Sequence, residues 1–163
     1  MQRLRHRRSR LPLVAGGSAA AVAAVAIAGG LATDTSSDWY RELRKPAWQP
    51  PGAVFGPVWT VLYVMIAASA TLTWRDVKGP RRRLVLGLHV ANLVLNLGWT
   101  IVFFQVKAPR AALIEILALL TVIFALIALV RRPSPPAAAL LLPYAAWTTF
   151  ATALTAAIAS GND

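Results

Sequence analysis

The side chains with the most potential chemistry recur at helical spacing within one apolar stretch. At about 100° per residue, five of them share one helix face: His89, Asn92, Asn96, Trp99 and Phe103. Amides hydrogen-bond, aromatic rings stack on flat molecules, and neutral imidazole can bind a transition metal such as iron. This face predicts a binding site in which His89 is a weak candidate iron ligand. A neutral histidine hydrogen-bonded inside a helical bundle is the simpler interpretation.

The sequence gives little support to conventional catalysis. It has no cysteine, which excludes disulfides, thiolate metal sites and cysteine nucleophiles. It also shows no acid–base pair, nucleophile constellation, glycine-rich phosphate loop or metal-ligand cluster. Glu115 is expected in the first turn of its helix, where a carboxylate complements the helix N-terminus. We expect no catalytic residues of the usual kinds, no metal and no obligatory cofactor.

The composition is that of a membrane protein. Of 163 residues, 57% are hydrophobic and 14% charged, against about 45–50% and 25% in soluble domains. The charges cluster between apolar stretches that are long enough to cross about 30 Å of hydrocarbon. The net charge of +11 is then better explained by membrane topology than by nucleic-acid binding.

We predict one all-α domain, a five-transmembrane-helix bundle spanning residues 11–159, because helices satisfy their own backbone in lipid. The expected spans are 11–31, 54–74, 84–106, 111–130 and 137–159. A basic tail, residues 1–10, precedes them, and a short tail, residues 160–163, follows. The first loop, 32–53, is long, and the remaining loops are short enough to force antiparallel neighbours.

The first span has two interpretations. Its basic start, apolar centre and small residues before Gly29 resemble a cleavable secretory signal, and composition alone does not separate this from a retained helix. Lys and Arg are distributed unevenly between the two sides of the membrane. Twelve lie in the N-terminal tail and even-numbered loops, and five lie in the odd-numbered loops. The positive-inside rule therefore predicts a cytoplasmic N-terminus and a first loop on the outside.

The first loop carries an unusual stretch, RKPAWQPPGAVFGPVW, residues 44–59. Proline fixes its own φ and disfavours helix at the preceding residue, so KPAWQPPG should be a stiff extended strap, with Pro57 in the first turn of span two. Trp39, Tyr40 and Trp48 could form an interfacial aromatic belt. The rigidity of this proline stretch is better explained if the first loop forms a lid over a cavity.

Further aromatic stripes lie in spans two and five. Trp59 aligns with Tyr63, and Tyr144 with Trp147 and Ala151. Each stripe alone favours ordinary core packing, but together with Asn92 and Asn96 they suit a large flat apolar ligand. Gly87 and Ala91, nearly opposite these amides, could let a helix approach closely. They are a candidate homodimer seam or a contact within one chain.

Three stretches carry a family resemblance. WYRELRKPAWQPPGAVFGPVWTVLY, LVLNLGWTIVFF and LLLPYAAWTTFATAL closely resemble motifs of the tryptophan-rich sensory protein/translocator protein family, also called the peripheral-type benzodiazepine receptor family. The likeness runs from about Trp39 to Leu154 and favours a retained first helix. It implies a homodimer through the third helix and ligands such as protoporphyrin IX or haem.

The resemblance also implies ligand-binding positions. They are Trp39, Tyr40, Pro46, Trp48, Trp59, Tyr63, Asn92, Trp99, Phe103, Trp147 and Ala151, to which the polar face adds Asn96. Bacterial relatives are linked to light-dependent porphyrin breakdown, which makes Trp59 and Trp147 possible photochemical residues.

The sequence departs from the family at several places. Ala53 replaces a frequent aromatic, and Ala153, Thr155, Ala156 and Ser160 replace the usual end of the fifth helix. The proposed cholesterol pattern, weak even when present, does not occur, so high-affinity cholesterol binding is not expected.

The leading hypothesis is a tetrapyrrole-binding sensory or regulatory protein of the lipid bilayer. The alternatives are a transporter of such flat ligands and a photo-oxidative porphyrin-degrading enzyme. A transporter often shows internal repeats or paired intramembrane charges, and this sequence shows neither. Composition suggests a bacterial cytoplasmic membrane.

Overall fold

The computed structural model describes the backbone of residues 2–162 and the side chains of residues 10–162. Within this range all regular secondary structure is helical. The elements are α1 Gln2–Ala32, α2 Asp38–Glu42, α3 Gly52–Asp76, α4 Gly79–Thr100, α5 Pro109–Val130 and α6 Pro135–Gly161, with a π-helical segment, Ile101–Gln105, continuing α4.

Among the described residues, five helices are long and apolar enough to cross a membrane: Arg10–Ala32, Gly52–Asp76, Gly79–Gln105, Pro109–Val130 and Pro135–Gly161. The prediction of an all-α, five-helix membrane protein is confirmed. The backbone of the predicted basic tail continues α1, but its side chains before Arg10 lie outside the described residues, as does Asp163.

Prolines mark the helix starts. Pro109 and Pro135 open α5 and α6, where the missing N–H would be unpaired anyway and φ is already suitable. Pro51 is extended, with φ −55° and ψ 142°, and α3 begins at the next residue, Gly52. The expectation that Pro57 lies in the first turn was wrong, because α3 begins earlier than position 54 and Pro57 falls in its second turn.

The larger core cluster lies where α3 to α6 pack together, and a smaller one, of Phe103, Ala112, Leu154 and Ile158, lies beside the first loop. Ile66, Ile123, Leu126 and Leu141 are at most 1% exposed. In contrast, the described part of α1 buries only Val22 and Gly29. α1 packs against α3 and α4 as the most peripheral helix of the bundle.

The first loop, residues 33–51, contains α2 and then the non-helical proline stretch. Its middle, at Arg44, and its junction with α1, at Ala32, are tied to other elements. The Asn162 side chain accepts a hydrogen bond from Arg44 N (2.8 Å) and donates one to Arg44 O (3.0 Å). Gln105 Nε2 donates to Ala32 O (2.6 Å) at the end of α1. The loop is therefore held across the same end of the bundle as the π-helical segment.

Candidate binding site

A cavity of about 540 Å³ lies beneath the first loop. Its walls come from α1, the loop and all four remaining long helices. Along α3 it extends from Gly52 to Tyr63, which is about 16 Å at 1.5 Å per residue. Its aromatic lining comprises Tyr40, Phe55, Trp59, Tyr63, Trp99, Phe103, Phe104 and Trp147.

The rings support one another in pairs. The centroids of Trp59 and Tyr63 are 5.4 Å apart, and those of Phe55 and Trp147 are 5.6 Å apart. Trp99 stacks on Phe103 at 5.1 Å with an interplanar angle of 21°. These contacts fix the ring orientations, so the cavity presents aromatic surfaces that are already placed for stacking.

A hydrogen-bond network closes the inner end of the cavity. Tyr63 Oη donates to Asn96 Oδ1 (2.8 Å), and Asn96 Nδ2 donates to Tyr144 Oη (3.3 Å). Tyr144 Oη in turn donates to Asn92 Oδ1 (3.0 Å). Tyr144 and Asn92 are fully buried, so the network joins α3, α4 and α6 in a water-poor interior.

Several buried donors around the cavity have no hydrogen-bond partner in the described part of the chain. They are the indole Nε1 atoms of Trp99 and Trp147 and the hydroxyl of Thr148, and all three residues line the cavity. Buried polar groups are normally paired. These donors are therefore available to a bound molecule.

The described lining contains no charged residue. Glu115, on α5, packs against α4 instead: a Cβ built on Gly98 would lie 3.1 Å from its Oε1. The expectation that Glu115 lies in the first turn was wrong, because α5 begins at Pro109 and has no acidic residue there.

His89 is buried with both ring nitrogens unpaired among the described residues, and it does not line the cavity. No group of three His, Asp or Glu residues that could hold a metal occurs in the described range. His89 lies deeper along α4 than Asn92 and Asn96.

The loop residues divide into two groups. Tyr40 lines the cavity and accepts a hydrogen bond at Oη from Gln49 Nε2 (3.3 Å). Lys45 Nζ donates to Tyr40 O and lies 4.2 Å from the Tyr40 ring centroid. In contrast, Trp39 and Trp48 do not line the cavity. Trp39 packs edge-on against Phe103 (5.7 Å), and Trp48 packs on Phe150 (5.7 Å) while remaining 51% exposed.

A turn at the start of the loop is built around Asp34. Its Oδ1 accepts from Ser36 N, Ser36 Oγ and Ser37 N at 2.7–3.0 Å. The hydrogen bond from the Ser36 side chain is the main reason that the pKa of Asp34 lies below its usual value. The turn is therefore favoured at neutral pH and weakens as the pH falls through the lowered pKa.

The structure brings together most of the predicted binding residues. Those lining the cavity are Tyr40, Trp59, Tyr63, Asn96, Trp99, Phe103, Trp147 and Ala151. Asn92 lies behind them, bonded to Tyr144, and Trp39, Pro46 and Trp48 lie outside the lining.

Sequence reasoning missed the contribution of α1, whose Ala26, Gly29 and Gly30 line the cavity. Small apolar residues have no side-chain chemistry that would mark them as part of a binding site. It also missed Phe104, which α-helical spacing turns away from Phe103. The wider turn of the π-helical segment brings both rings to the cavity, with centroids 5.0 Å apart. Such segments frequently mark functional sites.

The predicted dimer seam faces outward. A Cβ added to Gly87 would meet nothing within 4 Å, and the neighbouring Val90 and Val94 are 62% and 64% exposed. Gly98, farther along α4, packs within its own chain against Glu115. The seam at Gly87 and Ala91 stays a prediction.

These features define a class of protein: a multi-pass helical membrane protein with an aromatic, uncharged cavity under its first loop. Comparison with known sequences agrees. The family model described as TspO/MBR matches residues 18–160. The chain is 38% identical over 133 residues to the tryptophan-rich protein TspO of Chlorobaculum tepidum, covering 80% of this chain and 84% of the relative.

Two further relatives extend the comparison. The tryptophan-rich protein TspO of Archaeoglobus fulgidus is 38% identical over 149 residues, which cover 91% of this chain and 95% of the relative. The human translocator protein is 38% identical over 118 residues, which cover 71% of this chain and 70% of the relative. The chain belongs to the TspO/MBR family.

Proposed function

We propose that this chain binds flat tetrapyrroles, such as protoporphyrin IX or haem, within the membrane and acts as a sensory or regulatory protein. The observation that carries the proposal is the cavity itself, in which eight aromatic residues surround a volume within the usual range of ligand pockets, about 300–1,000 Å³. Flat conjugated ligands gain stacking and burial energy in such a site.

The closed inner end of the cavity favours binding over transport. Tyr144 and Asn92 bridge α6 and α4 there, and beyond them the core is filled by side chains such as Leu141 and Ile123. A ligand that enters near the first loop would have to break this network to cross the bundle. Transport remains the alternative, and it would require the hydrogen-bond network at the inner end to open.

Two rings also suit the photochemical alternative. Trp59 and Trp147 both line the cavity, where an excited porphyrin would lie against them. In the presence of light and O₂, the indole and the porphyrin could both be oxidised. This reaction is a possible activity of the bound complex, and binding must be shown first.

A titration of the detergent-purified protein with protoporphyrin IX tests the proposal through quenching of tryptophan fluorescence. We expect saturable quenching, weakened several-fold by Trp59→Phe or Trp147→Phe. Trp74→Phe is the matched control, because Trp74 lies outside the lining and packs against Arg82, 5.5 Å from its ring centroid. Unsaturable quenching, or equal effects of all three substitutions, would refute binding in this cavity.

The same samples separate binding from degradation. Illumination in air should bleach the porphyrin absorbance only if the photochemical alternative operates, and Trp147→Phe or Trp59→Phe should then slow the bleaching. Stable absorbance with saturable binding supports a sensor or regulator.

A further inference from the structure

The threonines of α6 do not all use their hydroxyls in the same way. A helical threonine commonly donates to the carbonyl four residues earlier. Thr149, Thr152 and Thr155 do so, to Ala145 O, Thr148 O and Ala151 O, each at 2.8 Å. Thr148 does not: its hydroxyl is buried and has no partner among the described residues. Thr148 thus keeps a free donor where its neighbours satisfy theirs locally.

This hydroxyl lies on a residue of the cavity wall, beneath its accessible surface. Thr148 is 1% exposed and lines the cavity together with Trp99 and Trp147, whose indole N–H groups are also unpaired. An indole nitrogen can only donate, and a hydroxyl is free to rotate toward an acceptor. Three of the unmatched groups in the described lining can therefore donate, whereas Gln49 Oε1 can only accept. The three donors require acceptors from the ligand.

The charge of those acceptors follows from the lining. No Lys, Arg or His is among the described lining residues, and burying a carboxylate without a cation is strongly unfavourable. A carbonyl oxygen of an ester, amide or ketone accepts hydrogen bonds without that penalty.

We propose that Thr148 forms a polar subsite that prefers an uncharged oxygen acceptor on a flat apolar ligand to an ionised carboxylate, so the propionates of protoporphyrin IX or haem would lie away from it. The inference rests on the proposed function, because it defines which members of the ligand class the cavity prefers. Thr148 was outside the residues predicted from sequence, since a threonine within an apolar helix is usually satisfied by its own backbone.

Two neutral porphyrins test the subsite. Protoporphyrin IX dimethyl ester carries ester oxygens, whereas etioporphyrin I carries only alkyl substituents. Each is titrated into wild type and Thr148→Val, which replaces the hydroxyl with a methyl group of similar size. Comparing variants with the same porphyrin cancels its partition into detergent.

Two controls separate the subsite from general effects on folding. Thr73→Val removes a hydroxyl that is equally buried and equally unpaired but lies outside the cavity lining. Thr148→Ser retains the hydroxyl. Circular dichroism on all variants checks that the helices are intact.

We expect Thr148→Val to weaken binding of the dimethyl ester about three- to tenfold, the net value of one hydrogen bond, and to leave etioporphyrin I unchanged. Thr148→Ser and Thr73→Val should resemble wild type with both. If wild type binds both porphyrins and Thr148→Val is indistinguishable from it, the subsite is refuted while the proposed function stands. If wild type binds protoporphyrin IX but not its dimethyl ester, the subsite is refuted while the proposed function stands, and if it binds none of the three porphyrins, both inferences fail.

Discussion

Tyr144 shows how much depends on one buried side chain at the residue scale. Its hydroxyl accepts from Asn96 and donates to Asn92, and its ring packs against Trp59 at 6.1 Å. The same residue therefore orients an amide at the inner end of the cavity and supports an indole of its wall. Asn96 then presents its Oδ1 to Tyr63.

Tyr144→Phe should destabilise the protein by about 1–3 kcal/mol, because it leaves Asn92 Oδ1 unpaired in the interior. Thermal unfolding in detergent, followed by circular dichroism, measures the loss. Tyr63→Phe is the matched control: it removes one hydroxyl of the same network at the cavity surface, where water can replace it, and should cost less. Equal losses would contradict the central position of Tyr144.

At the scale of elements, the first loop depends on attachments outside itself. The Asn162 side chain bonds both backbone groups of Arg44, next to the proline stretch. Prolines stiffen that stretch, but they do not determine where it lies. The contact with the end of α6 helps to do so, together with the packing of the Tyr40 ring on Phe104 at 5.5 Å.

Asn162→Ala should therefore loosen the loop without unfolding the bundle. We expect several-fold faster trypsin cleavage after Arg44, identified by mass spectrometry, at an unchanged unfolding temperature. Ser160→Ala is the control, because the Ser160 hydroxyl bonds only locally, to Ala157 O (3.1 Å). Unchanged cleavage in Asn162→Ala would show that the Asn162 contact does not hold the loop in place.

At the scale of the whole molecule, α4 presents an apolar outer surface. Val90 and Val94 are more than half exposed beside the open Gly87, and small residues of this kind allow close helix approach in lipid. Lipid could cover this surface equally well, so the homodimer remains a prediction. The cytoplasmic N-terminus, which was inferred from the distribution of Lys and Arg, also remains a prediction.

Gly87→Leu should reduce the dimer fraction in mild detergent, measured by light scattering, while leaving the monomer folded. The added side chain meets nothing within its own chain, so a loss of dimer reports on the partner contact. Gly16→Leu is the control, because Gly16 lies on a different helix, α1, and is equally open. An unchanged dimer fraction would place the seam elsewhere, and a wild-type protein that is monomeric would contradict the dimer.

Much of the architecture could be predicted because it follows from local chemistry. Apolar runs of membrane length must become helices, since lipid offers their backbones no other partners. Prolines such as Pro109 and Pro135 mark where helices begin. Helical spacing puts Asn92, Asn96, Trp99 and Phe103 on one face, and that face points inward because polar side chains are disfavoured in lipid. The family motifs identified most of the aromatic wall.

The tertiary structure alone decided which of these residues meet at the cavity. Asn92 and Asn96 have the same chemistry and share a helix face, yet only Asn96 reaches the lining, because Tyr144 from α6 covers Asn92. The glycines of α1 and the free hydroxyl of Thr148 gave no sequence signal. Their roles arise because packing of distant helices leaves space beside them, and spacing along one helix does not encode that space.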